Sequence, residues 1–137
     1  GIPLGRRFRA LKIWAHLRGQ GMASIRERLR RDLADAARFA ERVASTPEWK
    51  VVAPVPLQTV CVRHEPSGLD EASLDAHTRA WCDAVSRSGV AYLAPALVGG
   101  KWMVRVSFGS ATTSAHDIDL LWDAMQAEAT RHAPPAL

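Results

Sequence analysis

Cysteine is scarce in this sequence, and both cysteines stand where oxidation is not expected. Cys61 lies in the apolar run Thr-Val-Cys-Val, and Cys82 follows Trp81 in a helical pattern. Both are therefore predicted to be buried free thiols. An apolar setting raises the pKa of a thiol, which argues against a nucleophilic cysteine. Free thiols indicate a reducing compartment, so we expect a cytoplasmic protein.

Long apolar runs and paired metal ligands are also missing. No apolar stretch approaches the roughly 20 residues that cross a bilayer, and the N-terminal region lacks the apolar core of a secretory signal. The five histidines, at positions 16, 64, 77, 116 and 132, form no His-x-x-x-His pair, and there is no Cys-x-x-Cys. No membrane helix and no metal site are predicted, and each histidine is expected to be at the surface or partly buried.

Negative charge is scarce in the first part of the chain. Residues 1–31 carry nine Arg and Lys side chains against Glu27 alone, whereas the remaining residues carry nine basic and 13 acidic side chains. A basic block of this kind either binds phosphate or an acidic protein surface, or only faces solvent. Arg outnumbers Lys by 15 to 3, in acidic and basic regions alike. This bias argues against a nucleic-acid-binding module, which is the competing class of function.

Hydrophobic periodicity predicts four helices. The first covers Phe8 to Leu17 and is stopped by Gly19 and Gly21, and the second runs from an N-cap at Ser24 to just before Thr46-Pro47. Its buried stripe is predicted to comprise Ile25, Leu29, Leu33, Ala36, Ala40 and Val43. The third helix is predicted to begin at Asp70-Glu71 and to end at Ser88-Gly89. A capping box of Ser114 and Asp117 opens the fourth, which stops at Pro134-Pro135.

Four short β-type runs complete the pattern: Lys50 to Ala53, Thr59 to Arg63, Val90 to Ala94 and Trp102 to Phe108. The last two flank Gly99-Gly100, which predicts a hairpin. In the last strand the apolar residues alternate with Met103, Arg105 and Ser107, so Arg105 is predicted on the opposite face. The order α-α-β-β-α-β-β-α favours an α+β fold, a small and largely antiparallel sheet with helices packed on one face.

Several segments, taken in order, resemble one enzyme family. PLGRRFRALKIW, a second helix, the VCVR strand, KWMVRVSFGSATT and the DIDLLWDAM helix are similar to the C-terminal part of group II pyridoxal-phosphate-dependent amino-acid decarboxylases. The GRRFRALKIW motif resembles the aromatic-type members more than the glutamate type. The resemblance implies the small domain of a fold-type I enzyme at residues 22–137, which contributes domain closure and part of the active-site wall. It also implies a linker helix at residues 1–21 that packs on a large domain.

The resemblance further implies what this stretch lacks. The chain begins without Met and partway into an arginine-rich helix, so we expect a piece of a longer protein. The family's Schiff-base lysine, pyridinium-nitrogen aspartate and ring-stacking histidine would lie upstream, and Lys12, Lys50 and Lys101 lack the family's His-Lys context. We therefore expect a dimeric carboxy-lyase parent that uses pyridoxal 5'-phosphate and an amino-acid substrate. The isolated chain is expected to bind no cofactor and to be inactive.

Two arginines are candidate substrate-binding residues. In glutamate-type relatives an arginine at the place of Arg105 is associated with the substrate carboxylate, and a guanidinium offers a bidentate fork for such a group. The alternative is a sheet-surface arginine paired with an acid of the third or fourth helix. The resemblance puts Arg6 near the active-site wall, where it contacts a catalytic loop, an acidic partner or the large domain. A stand-alone interaction or regulatory domain that lost catalysis is the other open function.

Overall fold

The computed structural model describes residues 8–133. Within these residues the elements follow the predicted order. They are α1 (Arg9–Gln20), α2 (Met22–Ser45), β1 (Trp49–Val51), β2 (Thr59–His64), α3 (Glu71–Ser88), β3 (Ala94–Val98), β4 (Lys101–Ser107) and α4 (Ala115–His132). No helix among the described residues is long and apolar enough to cross a membrane.

The chain divides into two compact units, one that ends at Arg31 and one that begins at Asp32. In the first unit, Gly21 separates α1 from α2 with φ +78°, a conformation that favours glycine, and its N–H donates to the Leu17 carbonyl. Arg28 crosses this corner with its guanidinium 3.1 Å from both the Gln20 side chain and the His16 ring. α1 has no buried residue, so its apolar side chains are open to a partner.

The second unit is built on a four-stranded antiparallel sheet with the order β1-β2-β4-β3. Alternate residues of the two central strands face a single apolar core that also takes side chains from α2, α3 and α4. Its sheet members include Val60, Val62, Val104 and Val106, and its helix members include Phe39, Trp81, Val85, Trp122 and Met125. The α+β class and the antiparallel sheet are thus confirmed.

Aromatic rings occupy the centre of this core. The Trp49 ring lies 5.4 Å from Trp81 and 5.1 Å from Trp122, while the Phe39 ring contacts Trp122 and Phe108 at 5.7 and 5.4 Å. Because truncating a buried aromatic side chain costs about 3–5 kcal/mol, these contacts dominate the stability of the unit.

Some predicted boundaries are confirmed by local hydrogen bonds. Asp70 caps α3 by accepting from the N–H of Ser73 at 2.8 Å, and Gly89 ends the helix in the left-handed region. Ser114 and Asp117 form the predicted capping box at the start of α4. The Gly99-Gly100 turn joins β3 to β4.

The predicted starts of α2 and β3 and part of one buried stripe were wrong. α2 begins at Met22 rather than after Ser24, because the Ile25 N–H already donates to the Gly21 carbonyl. β3 begins at Ala94, where the predicted strand ends: the N–H groups of Val90 and Leu93 donate to serine hydroxyls of α3 instead of to β4.

The predicted stripe of α2 was right at Ala36 and Val43 and wrong at Leu29 and Leu33. Leu29 and Leu33 are 46% and 40% exposed, and the buried apolar residues of the helix are Ala36, Phe39 and Val43. The core therefore takes an aromatic side chain from this helix in place of the predicted leucines.

Candidate functional site

Arg105 lies at the middle of β4, a central strand of the sheet. The flanking Val104 and Val106 are buried in the core, and the Arg105 side chain is exposed, so alternation places its guanidinium on the opposite face. Its register neighbours are Cys61 in β2 and Ala94 in β3, and both side chains are small. A rigid strand thus presents the guanidinium without a bulky neighbour on either side.

Among residues 8–133, no carboxylate lies within ion-pair distance of Arg105. Three acids of α3 and α4 pair with other arginines: Asp75 with Arg63, Asp83 with Arg87, and Asp119 with Arg42, at 2.7, 2.8 and 2.6 Å. The alternative interpretation, a structural pair with a helix acid, is therefore not seen in the described part of the chain. Arg6, the other candidate, lies outside the described residues.

The sequence analysis missed Arg63 of β2, which is only 2% exposed. Its guanidinium lies 2.6 Å from Glu71, 2.7 Å from Asp75 and 3.4 Å from Glu65. Hydrogen bonds from Arg63 and Lys101 hold the pKa of Glu71 below its ordinary value. This carboxylate cluster ties the end of β2 to the first turns of α3. The signal available in the sequence was an arginine in a strand followed by Glu71 and Asp75, four residues apart on one helix face.

Each carboxylate of the cluster has a second partner. Glu65 pairs with Lys50 at 2.5 Å, Glu71 pairs with Lys101 at 3.0 Å, and Asp75 accepts from the backbone N–H of Trp102 at 2.9 Å. β1, β2, α3 and β4 are therefore linked through one polar network.

Two histidines are buried, contrary to the expectation that all would be at the surface or partly buried. His64 and His77 are 6% and 4% exposed, and their rings are joined by a hydrogen bond of 2.9 Å between Nδ1 of His64 and Nε2 of His77. His77 Nδ1 lies 3.1 Å from the carbonyl oxygen of His132. Burial lowers the pKa of both rings. The β-strand alternation and the helix periodicity did not reveal this pairing, because it joins residues 13 positions apart.

The lysines do not form a cofactor site. A pyridoxal-phosphate site needs an enclosed lysine and an acidic partner for the ring nitrogen. Lys50 and Lys101 are 62% and 59% exposed in pairs with glutamates, and Lys12 is exposed on α1. The described residues therefore do not fit this cofactor, and they contain no cluster of three or more potential metal ligands.

Both cysteines are free thiols. Cys82 is 1% exposed, and burial raises its pKa to about 11, so the prediction that it is an inert core thiol is confirmed. Cys61 is only half-buried on β2, so the prediction that it is buried was wrong.

An open groove of about 730 Å³ lies beside α3, with Arg79, Tyr92, Leu93, Pro95 and Trp102 among its lining residues. The Arg79 guanidinium lies 4.9 Å over the Trp102 ring, a cation–π contact. Arg105 is not part of this lining, so the candidate arginine and the groove are separate features.

Comparisons with known proteins point to one group of enzymes. The chain is 31% identical over 125 residues to an aromatic-L-amino-acid decarboxylase of Catharanthus roseus, an alignment that covers 91% of this chain and 25% of that protein. It is 34% identical over 129 residues to a 4-hydroxyphenylacetaldehyde synthase of Rhodiola rosea, which covers 91% of this chain and 26% of the relative. No family model matches the chain.

Comparison with solved structures points to the same group of enzymes. The crystal structure of Oryza sativa TDC with PLP and tryptamine superposes with a TM-score of 0.85 at 30% identity, over 95% of this chain and 28% of that one. This chain spans about a quarter of the length of the curated relatives that it matches.

Proposed function

We propose that this chain is the C-terminal small domain of a group II pyridoxal-phosphate-dependent amino-acid decarboxylase of the aromatic type. The observation that carries the proposal is the TM-score of 0.85 to the rice enzyme over 95% of the chain. The identities of 31–34% to aromatic-type relatives support an aromatic amino acid as the substrate. These matches do not favour a stand-alone interaction domain or a nucleic-acid-binding module.

In this proposal the rest of the protein holds the cofactor. Pyridoxal 5'-phosphate, when bound there, supplies the electron sink for loss of the substrate carboxylate as carbon dioxide. Residues 22–137 close over the site and form part of its wall, and residues 1–21 are a linker helix that packs on the large domain. The exposed apolar side chains of α1, such as Ile13 and Trp14 at 64% and 60%, support this packing and a homo-oligomeric parent. The free thiols support a cytoplasmic location.

Arg105 is the proposed substrate-binding residue of this domain. Its guanidinium is exposed, sits on a rigid central strand and has no ion-pair partner among residues 8–133. A planar fork of this kind binds a carboxylate through two parallel hydrogen bonds. Arg105 would thereby orient the substrate carboxylate as the domain closes. Arg6 is proposed as a second contact at the same wall.

The test uses the full-length parent with Arg105→Ala and Arg105→Lys. Removing charge-assisted hydrogen bonds worth ~1.5–3 kcal/mol should lower kcat/KM roughly 10- to 150-fold, while the melting temperature barely changes because the side chain is exposed. Lysine should restore only part of the activity, since a point charge does not reproduce the fork. The matched control is Arg87→Ala, another exposed arginine whose pair with Asp83 is itself exposed. Unchanged kinetics in Arg105→Ala, together with a lowered melting temperature, would refute the substrate-binding role.

A second candidate function is the formation of an aldehyde from the same class of substrate. Relatives named phenylacetaldehyde synthase and 4-hydroxyphenylacetaldehyde synthase match at 32% and 34% identity, as strongly as the decarboxylases do. The assay of the parent therefore measures both the amine and the aldehyde formed from tryptophan, tyrosine and phenylalanine. Amine as the main product supports the carboxy-lyase, and aldehyde as the main product supports the synthase.

The isolated chain gives an independent test of the proposal that the rest of the protein holds the cofactor. Because its lysines are exposed, and Lys50 and Lys101 also pair with glutamates, the purified chain should form no borohydride-reducible band near 420 nm with pyridoxal phosphate and should release no carbon dioxide. A reducible band or measurable decarboxylation would contradict the proposal that the rest of the protein holds the cofactor.

A further inference from the structure

The buried histidine pair has a fixed proton arrangement. A carbonyl oxygen only accepts hydrogen bonds, so His77 Nδ1, which lies 3.1 Å from the His132 carbonyl, carries a proton and donates. Neutral imidazole has one N–H, so His77 Nε2 is an acceptor. The donor in the 2.9 Å bond between the rings is therefore Nδ1–H of His64.

The other acceptor nitrogen of the histidine pair is Nε2 of His64. It lies 3.6 Å from a carboxylate oxygen of Glu48, so a first added proton goes there and forms a charge-assisted contact. The bond between the two rings survives this step, because His64 Nδ1 still donates to His77.

A second proton cannot be added to the pair without the loss of a hydrogen bond. The remaining acceptor is His77 Nε2, and once it is protonated both facing nitrogens are donors, so the ring–ring hydrogen bond must break. The two rings would then be adjacent cations in a buried setting. At His77 the hydrogen bond to the His132 carbonyl favours the charged ring, and the His132 side chain disfavours it. Glu48 favours charge on His64.

We propose that His64 and His77 form an acid-sensitive latch that joins the end of β2 to α3 at neutral pH and opens when the second ring gains a proton. The ring–ring bond joins β2 to α3, whereas the bond from His77 Nδ1–H to the His132 carbonyl, which ties α3 to the last residue of α4, keeps its donor in the charged ring. The His64 ring also packs on Trp49 at 4.9 Å, which couples it to the aromatic core. No part of this inference depends on the proposed function.

The sign of the pH effect follows from burial. Burial lowers the pKa of both rings in the folded state from the ordinary value of 6.5, so the unfolded chain binds more protons. The latch contributes its full stability above pH 6.5 and loses it as the pH falls through the lowered values. Below pH 6.5 the unfolding equilibrium constant should rise by up to about tenfold per pH unit for each histidine.

The first measurement uses the unmodified chain and histidine ¹⁵N chemical shifts. At pH 7.5, His64 and His77 should both be the Nδ1–H tautomer, and both should titrate below the ordinary value of 6.5, with His64 first. Hydrogen exchange, corrected for the intrinsic rate, should show protection lost at residues 62–65 between pH 7 and 5.5 while residues 104–106 stay protected. An Nε2–H tautomer at His77, or titration of both rings at or above the ordinary value of 6.5, would overturn the latch.

The second measurement uses urea unfolding of His64→Asn, whose amide keeps a donor near the Nδ1 position without a titrating group. Between pH 6.5 and 5.5 its unfolding constant should rise up to about tenfold less than that of the unmodified chain. His116→Asn is the matched control and should leave the pH dependence unchanged. If His64→Asn keeps the full pH dependence, the proposal is wrong.

Discussion

Removing the Arg63 guanidinium should lower the free energy of unfolding by about 2–3 kcal/mol. Breaking a buried ion pair so that a charge is left uncompensated costs about 3–5 kcal/mol. Here Glu65, Glu71 and Asp75 each keep a second partner after Arg63→Ala, namely Lys50, Lys101 and the Trp102 N–H. Glu71 is also 46% exposed, so solvent screens its loss. The cost therefore falls below the range for an isolated pair.

The assay is urea denaturation with a constant m-value, supported by a melting-temperature shift of roughly 6–12 °C. Arg63→Lys should recover part of the loss, since it keeps the charge without the fork. Arg87→Ala is the matched control, because its pair with Asp83 is exposed on both sides and should cost no more than about 0.5 kcal/mol.

The same prediction has a pH dependence that follows from Glu71. Arg63 lowers the pKa of Glu71 from its ordinary value of 4.5, so the contribution of this contact is complete above pH 4.5 and is lost as the pH falls through the lowered value. The difference in stability between the unmodified chain and Arg63→Ala should therefore shrink from pH 6 to pH 3.5. The reasoning is refuted if Arg63→Ala costs no more than Arg87→Ala, or if the difference is the same at both pH values.

Three further predictions address other parts of the chain. Ser114→Ala should cost about 1 kcal/mol by removing the capping box with Asp117, and an unchanged urea midpoint would contradict the cap. Cys82, whose pKa is raised to about 11 by burial, should resist alkylation at pH 8 in the folded chain while Cys61 reacts; equal rates would contradict the burial. Deleting residues 1–21 should reduce self-association in sedimentation and leave the urea midpoint unchanged, whereas a monomer before and after deletion would exclude α1 as the contact.

The fold was predictable wherever a local signal set it. The capping box at Ser114 and the turn at Gly99-Gly100 depend on residues a few positions apart, and both were found. The start of β3 was missed because the two serine hydroxyls of α3 compete with β4 for backbone N–H groups, a choice that periodicity does not record.

In the candidate site, too, only the feature set by a local pattern was predictable. Alternation along β4 placed Arg105 on the exposed face, because it needs only the strand and its apolar neighbours. The Arg63 cluster and the His64–His77 bond depend on which segments pack together, so neither followed from spacing along the chain. The sequence analysis assigned no role to Arg63, because its burial depends on carboxylates that the next helix brings to it.

The aromatic cluster also gives the protein an optical signature. Indole rings separated by 5.1–5.4 Å, as Trp49 is from Trp81 and Trp122, exchange excitation and couple their electronic transitions. Their combined emission is then sensitive to a quencher beside any one of them. Protonated imidazole quenches indole emission, and the His64 ring lies 4.9 Å from Trp49. The intrinsic fluorescence of the core, measured in a Trp14→Phe background to remove the most exposed emitter, therefore reports the charge on His64 without any added label.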